Sequence, residues 1–354
     1  MKSSLVSQLL YFGNNSHVND TTDKNIAASR ESHLWANYVD WLLLSLVVFL
    51  LAFYQIPGES RDWQSYDDVF ELSRIEGLDT LGISRFEPGF VIVGVLLTKL
   101  FSANLAVYGM IAASAMFFKC WVINLFTSQR MIFFFVTLFY LVRFVPLHEL
   151  TQLRVACSAA FLLLAFVLLG RGNRLAGLTA CAAALAFHLS AIVIAPFLFM
   201  QSCSRRTVIV VGAAVFITTL LGVGLFTGYF QDSIAVVRMY QEAGFGDEVP
   251  NPLSSGLLLD WGMIVVGLLL WDRLSLPMKH VLLLELVGMA IFYASMDFAV
   301  ISHRIREFFS VFWIFFVAEG LQQELLVKQI SILFVMASVI LYSYLFLFSG
   351  QFFY

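Results

Sequence analysis

Long apolar runs separated by short polar stretches set the rhythm of this chain. About 20 apolar residues cross the hydrocarbon of a bilayer. On that ruler, runs fall at roughly 36–54, 88–105, 107–126, 130–146, 154–170, 175–200, 207–227, 256–271, 280–298, 306–321 and 328–348. They predict an all-α, polytopic integral membrane protein with roughly 11 transmembrane helices. Helices follow because every backbone group in lipid must be satisfied within its own segment, and the runs are too long for barrel strands. The run 175–200 is unusual, with His188 and Pro196 near its middle. It is either one tilted helix or two short pieces that meet at His188.

Residues 1–35 are polar and rich in Asn, Ser and Thr. They lack the order of a signal peptide, which runs from a basic start through a short apolar core to a small-residue cleavage site. They read as a polar N-terminal arm with a short interfacial helix at Leu5–Phe12. Residues 36–350 read as a single transmembrane domain, with no internal repeat and no boundary.

Composition agrees with the pattern. The 354 residues are 60% hydrophobic and 13% charged, against about 25% charged in a soluble domain. A net charge of −3 argues against nucleic acid as a partner. Cys120, Cys157, Cys181 and Cys203 lie within or beside apolar segments without metal-ligand spacing, so they read as packing thiols. Loop cations favour the cytoplasmic side, which assigns Arg171 with Arg174, Arg205 with Arg206, and Arg273 with Lys279 to that side. A break at His188 reconciles all three pairs. It also moves His188 to the opposite face, beside the loops at 228–256 and 299–306.

Candidate chemistry comes from charges at the edges of the runs. Arg154 stands at the threshold of the run that ends at Gly170. An arginine at mid-depth costs about 3 kcal/mol on insertion scales, so it lines a polar cavity or grips an anion. The alternative is an arginine snorkelling to the interface. His148, Gln152 and Arg154 fall along one helical side by spacing, and a cation with such neighbours suits phosphate oxygens. Arg304 and Arg306 form a second cationic cluster with His303. They cannot face the same way on a regular helix, so one is free for ligand while the other meets Glu307 or headgroups. Arg238 is a further candidate, in a loop that ends in a Gly- and Pro-rich stretch. Glu285, an acid inside a run, is expected to pair within the bundle.

The loop 55–87 holds eight acids and three arginines and is expected to be extracytoplasmic. Trp63, Tyr66 and Phe70 recur there at helical spacing, as an interfacial helix or a sugar-stacking face. Glu87 precedes Pro88, a residue suited to a first helical turn. Glu87 either complements the positive helix end or, like Asp62, takes a proton from an attacking hydroxyl. His188 is either an interhelical hydrogen bonder or an acid–base group. The chain has no P-loop, dinucleotide fingerprint, HExxH, serine elbow or metal-ligand set, which argues against ATP hydrolysis. No cofactor or metal is expected, although Asp62 and Glu87 together leave room for a divalent ion.

Four stretches, in order, resemble the EpsG-type family of bacterial polysaccharide polymerases within the broader Wzy group. They are Asp62-x-x-x-Tyr66; Glu87-Pro88-Gly89-Phe90; Gln152, Arg154 and Ala156 followed by Phe187-His188-Leu189-Ser190-Ala191; and Arg304-Ile305 with Phe308-Phe309. The resemblance covers about residues 38–320. Many relatives carry an adjacent Arg-Gln at the third stretch, whereas here Leu153 separates Gln152 from Arg154.

The resemblance implies a multi-pass glycosyltransferase of the bacterial inner membrane, making O-antigen, capsule or exopolysaccharide. It would join undecaprenyl-diphosphate-linked oligosaccharides at the periplasmic face, with a chain-length regulator as a further partner. Arg154, Arg304 and Arg306 would then hold the diphosphate, and Asp62, Glu87 or His188 would be the base. Two other classes fit the same residues: a membrane acyltransferase acting on surface glycans, and a transporter or flippase of lipid-linked sugars. An inverted repeat would favour transport, and none is visible.

Overall fold

The computed structural model describes residues 38–54, 62–127, 129–200, 204–229, 250–296 and 299–345. The arm at 1–35, its helix at Leu5–Phe12, the domain start at 36, Arg238 and Cys203 all lie outside the described residues. Trp41–Tyr354 forms one compact unit, and Tyr38–Asp40 are helical.

The helices of eight residues or more are α1 (Tyr38–Tyr54), α2 (Trp63–Glu76), α3 (Pro88–Thr98), α4 (Asn104–Phe126), α5 (Arg130–Arg143), α6 (Leu153–Gly170), α7 (Arg174–Phe187) and α8 (Ala191–Leu198). They continue with α9 (Arg205–Tyr229), α10 (Ser255–Leu269), α11 (Leu276–Ala294), α12 (Ala299–Ser310), α13 (Trp313–Gly320) and α14 (Leu325–Tyr344). The described residues contain no strand.

Every apolar run became helix, but the expected span count needs correction. Among the described residues five helices, α4, α6, α9, α11 and α14, are long and apolar enough to cross a bilayer. Another four, α1, α3, α7 and α10, are apolar but shorter. Two runs fail as single spans because each is broken. The run 175–200 divides at His188–Ser190 into α7 and α8, the alternative with two short pieces. The run 306–321 divides at Val311–Phe312 into α12 and α13. Helix α3 stops at Thr98 before Lys99, so it rises only about 16 Å at 1.5 Å per residue.

Helix α6 is the most enclosed, with 72% of its apolar window buried, against 11% for α9 and 33% for α14. It packs between α4 and α7. That packing fixes where its N-terminus lies, and Arg154 with it. Helices α1, α9 and α14 expose Leu43, Leu46, Leu50, Val210, Ile217, Leu333 and Ile340. Apolar faces of that extent belong against lipid chains.

Two glycines let helices approach closely near the site. A Cβ on Gly89 would stand 2.7 Å from the Ala186 carbonyl oxygen, which brings the start of α3 against the end of α7. A Cβ on Gly288 would stand 2.5 Å from the Phe309 Cβ, which lets α12 lie tightly on α11.

The aromatic spacing in the loop after α1 did form a helix, α2, but its ring face is turned inward. Tyr66 packs on Phe90 at 5.3 Å and Phe70 packs on Phe90 at 6.0 Å, while Trp63 lies 5.1 Å from Tyr108. Tyr66 and Phe70 are buried. Neither expected use of this face, lipid anchoring or sugar stacking, is open to those two rings.

Candidate functional site

Arg154 is the second residue of α6, where the positive end of the helix dipole disfavours a cation. A carboxylate offsets that cost. Arg154 Nη1 donates to Glu87 Oε2 at 2.8 Å, and the guanidinium lies over the Phe86 ring, 4.2 Å from its centroid. Both charged side chains are about 15% exposed, so the pair is sheltered yet reachable.

Glu87 is the N-cap residue of α3, but its side chain makes no capping bond. Its second oxygen, Oε1, accepts the Leu189 N–H at 3.1 Å. Its two oxygens are thus engaged by Arg154 and the Leu189 N–H rather than by the first N–H groups of α3. Burial alone would raise this carboxyl's proton affinity, but the neighbouring Arg154 outweighs it and holds Glu87 below the ordinary carboxylate range.

His188 sits in the break between α7 and α8. Its Nδ1 accepts the Ser190 N–H at 3.2 Å and lies 3.8 Å from Glu87 Oε1. That contact assigns the proton of the neutral ring to Nε2, and Nε2 is buried with no hydrogen-bond partner among the described residues. The ring meets Phe308 of α12 edge-on at 5.3 Å; of the two loops expected beside it, 299–306 is part of helix α12 and 228–256 lies largely outside the described residues.

Arg304 and Asp62 close the cluster. Arg304 Nη2 donates to both Asp62 oxygens at 3.1 Å. One turn further along α2, the Tyr66 phenol lies within electrostatic reach of Asp62, Arg154 and Arg304. Burial, with Asp62 reinforcing it, pushes this phenol up to about 12, so it remains a hydrogen-bond donor at neutral pH. Two guanidiniums, two carboxylates, an imidazole and a phenol therefore converge from α2, α3, α6, α12 and the α7–α8 break. Such a constellation can bind a polyanion and move a proton.

The remaining expected residues are placed differently. Gln152 does not share a continuous helical side with His148, because the one-turn helix Val145–His148 ends before α6 begins. Its side-chain amide instead lies 3.4 Å from Glu307 Oε2. His148 is fully buried against the Phe144 ring at 5.6 Å and is not bonded to the arginine cluster. Arg306 points away from Arg304, as helical geometry requires, but its partner is Asp260 rather than Glu307 or a headgroup.

Asp260 is shared with a second guanidinium, since Arg143 Nη2 reaches its two oxygens at 2.6 and 2.8 Å. Rings of Phe139, Phe144, Phe334 and Tyr342 surround Arg143 at 5.1–5.9 Å. Glu285 is buried within electrostatic reach of this group, but the expected pairing is not formed among the described residues, where its Oε1 has no hydrogen-bond partner. A third buried cluster joins Lys119 to Glu149 and to the Tyr140 hydroxyl at 2.6 Å.

Arg143, Asp260, Lys119 and Glu149 escaped the sequence reading. Lys119 and Asp260 had a signal there, each being a charge within an apolar run, like Glu285. No group of three or more His, Cys, Asp or Glu suited to a metal occurs among the described residues.

Residues 40–352 match the model of the EpsG family. No curated protein and no solved structure matches the chain.

Proposed function

The chain belongs to the EpsG family, and from that premise we propose that it is a membrane glycosyltransferase that polymerises lipid-diphosphate-linked oligosaccharide units. The donor is a growing chain on undecaprenyl diphosphate at the periplasmic face of the bacterial inner membrane. A hydroxyl of the next lipid-linked unit attacks the anomeric carbon, and the lipid diphosphate departs. The product is an O-antigen, capsular or extracellular polysaccharide.

The observation that carries this reading is the placement of Arg154 and Arg304 in one sheltered cluster, each held by a carboxylate. A departing diphosphate gains charge in the transition state, and preorganised donors stabilise that charge without ATP. Glu87 takes one Nη of Arg154. The same guanidinium keeps a buried Nε–H with no partner among the described residues, and an arginine carries five donors in all. It can therefore stay anchored to Glu87 while donating to phosphate oxygens. The Tyr66 phenol adds a neutral donor beside it. The apolar outer faces of the bundle suit the lipid tail. Arg306 serves by fixing α12 to Asp260, which leaves Arg304, two residues away, facing the site.

Arg154→Ala tests the reading. The variant is expected to reach the membrane and purify as a single species, yet to make no polymer in cells that lack the wild-type protein. Full-length polymer from Arg154→Ala would overturn the assignment of the diphosphate site.

A further inference from the structure

The reaction needs a group to take the proton of the attacking hydroxyl, and the carboxylates near the site are not equivalent. Asp62 is held through both oxygens by Arg304. Glu87 is held by Arg154 and by a backbone N–H. Asp260 lies between two arginines with no exposure, and Glu149 is sealed against Lys119. Each of these carboxylates is already engaged by a bonded cation.

Glu307 differs on every count. It lies one turn along α12 from Arg304, on the same side by helical spacing. Among the described residues its one hydrogen bond to a side chain is the long one from Gln152, at 3.4 Å. No cation among the described residues forms an ion pair with it, and the residue is half-buried. We propose that Glu307 is the general base that accepts the proton of the attacking hydroxyl, with Gln152 orienting its carboxylate.

The inference rests on the polymerase reading above. In the step, the acceptor oxygen forms a bond to the anomeric carbon as the bond from that carbon to the phosphate oxygen breaks. The electron pair leaves on the lipid diphosphate, held by Arg154 and Arg304, and the hydroxyl proton passes to Glu307.

The surroundings favour this role. Helix α12 is not among the apolar helices. Burial, only partly offset by Arg306 and Arg304, pushes the Glu307 carboxyl up to about 7, where a base operates best near neutral pH. Arg304 and Arg306 flank it on α12, and Asp62 faces it from the start of α2. Of the elements packed on α12, α8 carries no titratable side chain. Helix α11 carries Glu285, near the Asp260 group, His280, bonded to the Phe197 carbonyl, Lys279, over the Trp271 ring, and Tyr293, which donates to the Pro252 carbonyl. The adjoining α7–α8 break supplies His188.

The experiment follows polymer formation by purified protein from lipid-linked repeat units, and measures the binding of one such unit separately. A wild-type protein that makes no polymer defeats the parent reading, whatever Glu307 does. With wild-type polymer in hand, Glu307→Gln is expected to lower the rate at least about 100-fold while the dissociation constant changes less than about threefold. The wild-type rate should rise with pH through about 7, because the base must be ionised, and Glu307→Gln should lack that rise. Should Glu307→Gln fail to purify as a single species, Glu307→Asp decides: the rise is expected to move to lower pH. A rate within tenfold of wild type in Glu307→Gln, a parallel loss of binding, or an unmoved rise in Glu307→Asp would each overturn the proposal.

Discussion

Arg154, Glu87 and His188 show how a residue's chemistry is set by what its neighbours leave unmet. Arg154 stands at the wrong end of a helix dipole and needs an anion, which Glu87 supplies at 2.8 Å. Glu87 in turn satisfies the Leu189 N–H, next to the histidine that marks the break between α7 and α8. The same logic runs through Asp260, which compensates the buried guanidiniums of Arg143 and Arg306. Removing one member of such a group strands the others without solvent, at a cost of about 3–5 kcal/mol. Asp260→Ala is therefore expected to lower the thermal midpoint of the detergent-solubilised protein by several degrees and to cost activity through misplaced Arg304. An unchanged midpoint would show that these arginines find water or other partners. The arginines of the candidate site and Glu87 were legible in the sequence because they stand at the edges of apolar runs, and His188 because it interrupts one. The pairing of Asp62 with Arg304, 242 residues apart, was not, because nothing local couples their positions.

Elements place these residues through interruptions rather than through continuous spans. The break at His188–Ser190 turns one apolar run into two short helices whose exposed backbone N–H groups meet side chains of the site. Periodicity located the run, and His188 with Pro196 signalled a break. Hydropathy alone could not end α3 at Thr98 or divide the run 306–321, since both boundaries depend on tertiary packing. Close approach matters equally. Gly89 allows the start of α3 to lie against the Ala186 carbonyl, which sets Glu87 beside Leu189. Gly89→Val would force the two helices apart at an overpacking cost of about 1–3 kcal/mol. The expected result is a protein that still inserts in the membrane but has a lower thermal midpoint and at least tenfold less polymer formation. Wild-type polymer from Gly89→Val would mean that this contact does not position Glu87.

At the scale of the whole molecule, the described residues set apolar faces suited to lipid around three separate ionic clusters. Two, at Asp260 and at Lys119–Glu149, are closed to solvent and tie helices distant in sequence. The third, around Arg154 and Arg304, remains partly open. A bundle of this kind can neutralise a diphosphate leaving group beside the bilayer with fixed charges alone, and the chain carries no nucleotide-binding motif. The central claim is that these charges serve polymerisation powered by the lipid diphosphate itself. Its most direct test is to incubate the purified protein with lipid-linked repeat units from its own cell, without ATP, and to separate the products by size. A ladder spaced by one repeat unit, with release of lipid diphosphate, is the predicted result. Substrate of unchanged size, in an assay where an authentic polymerase makes its ladder, would contradict the account.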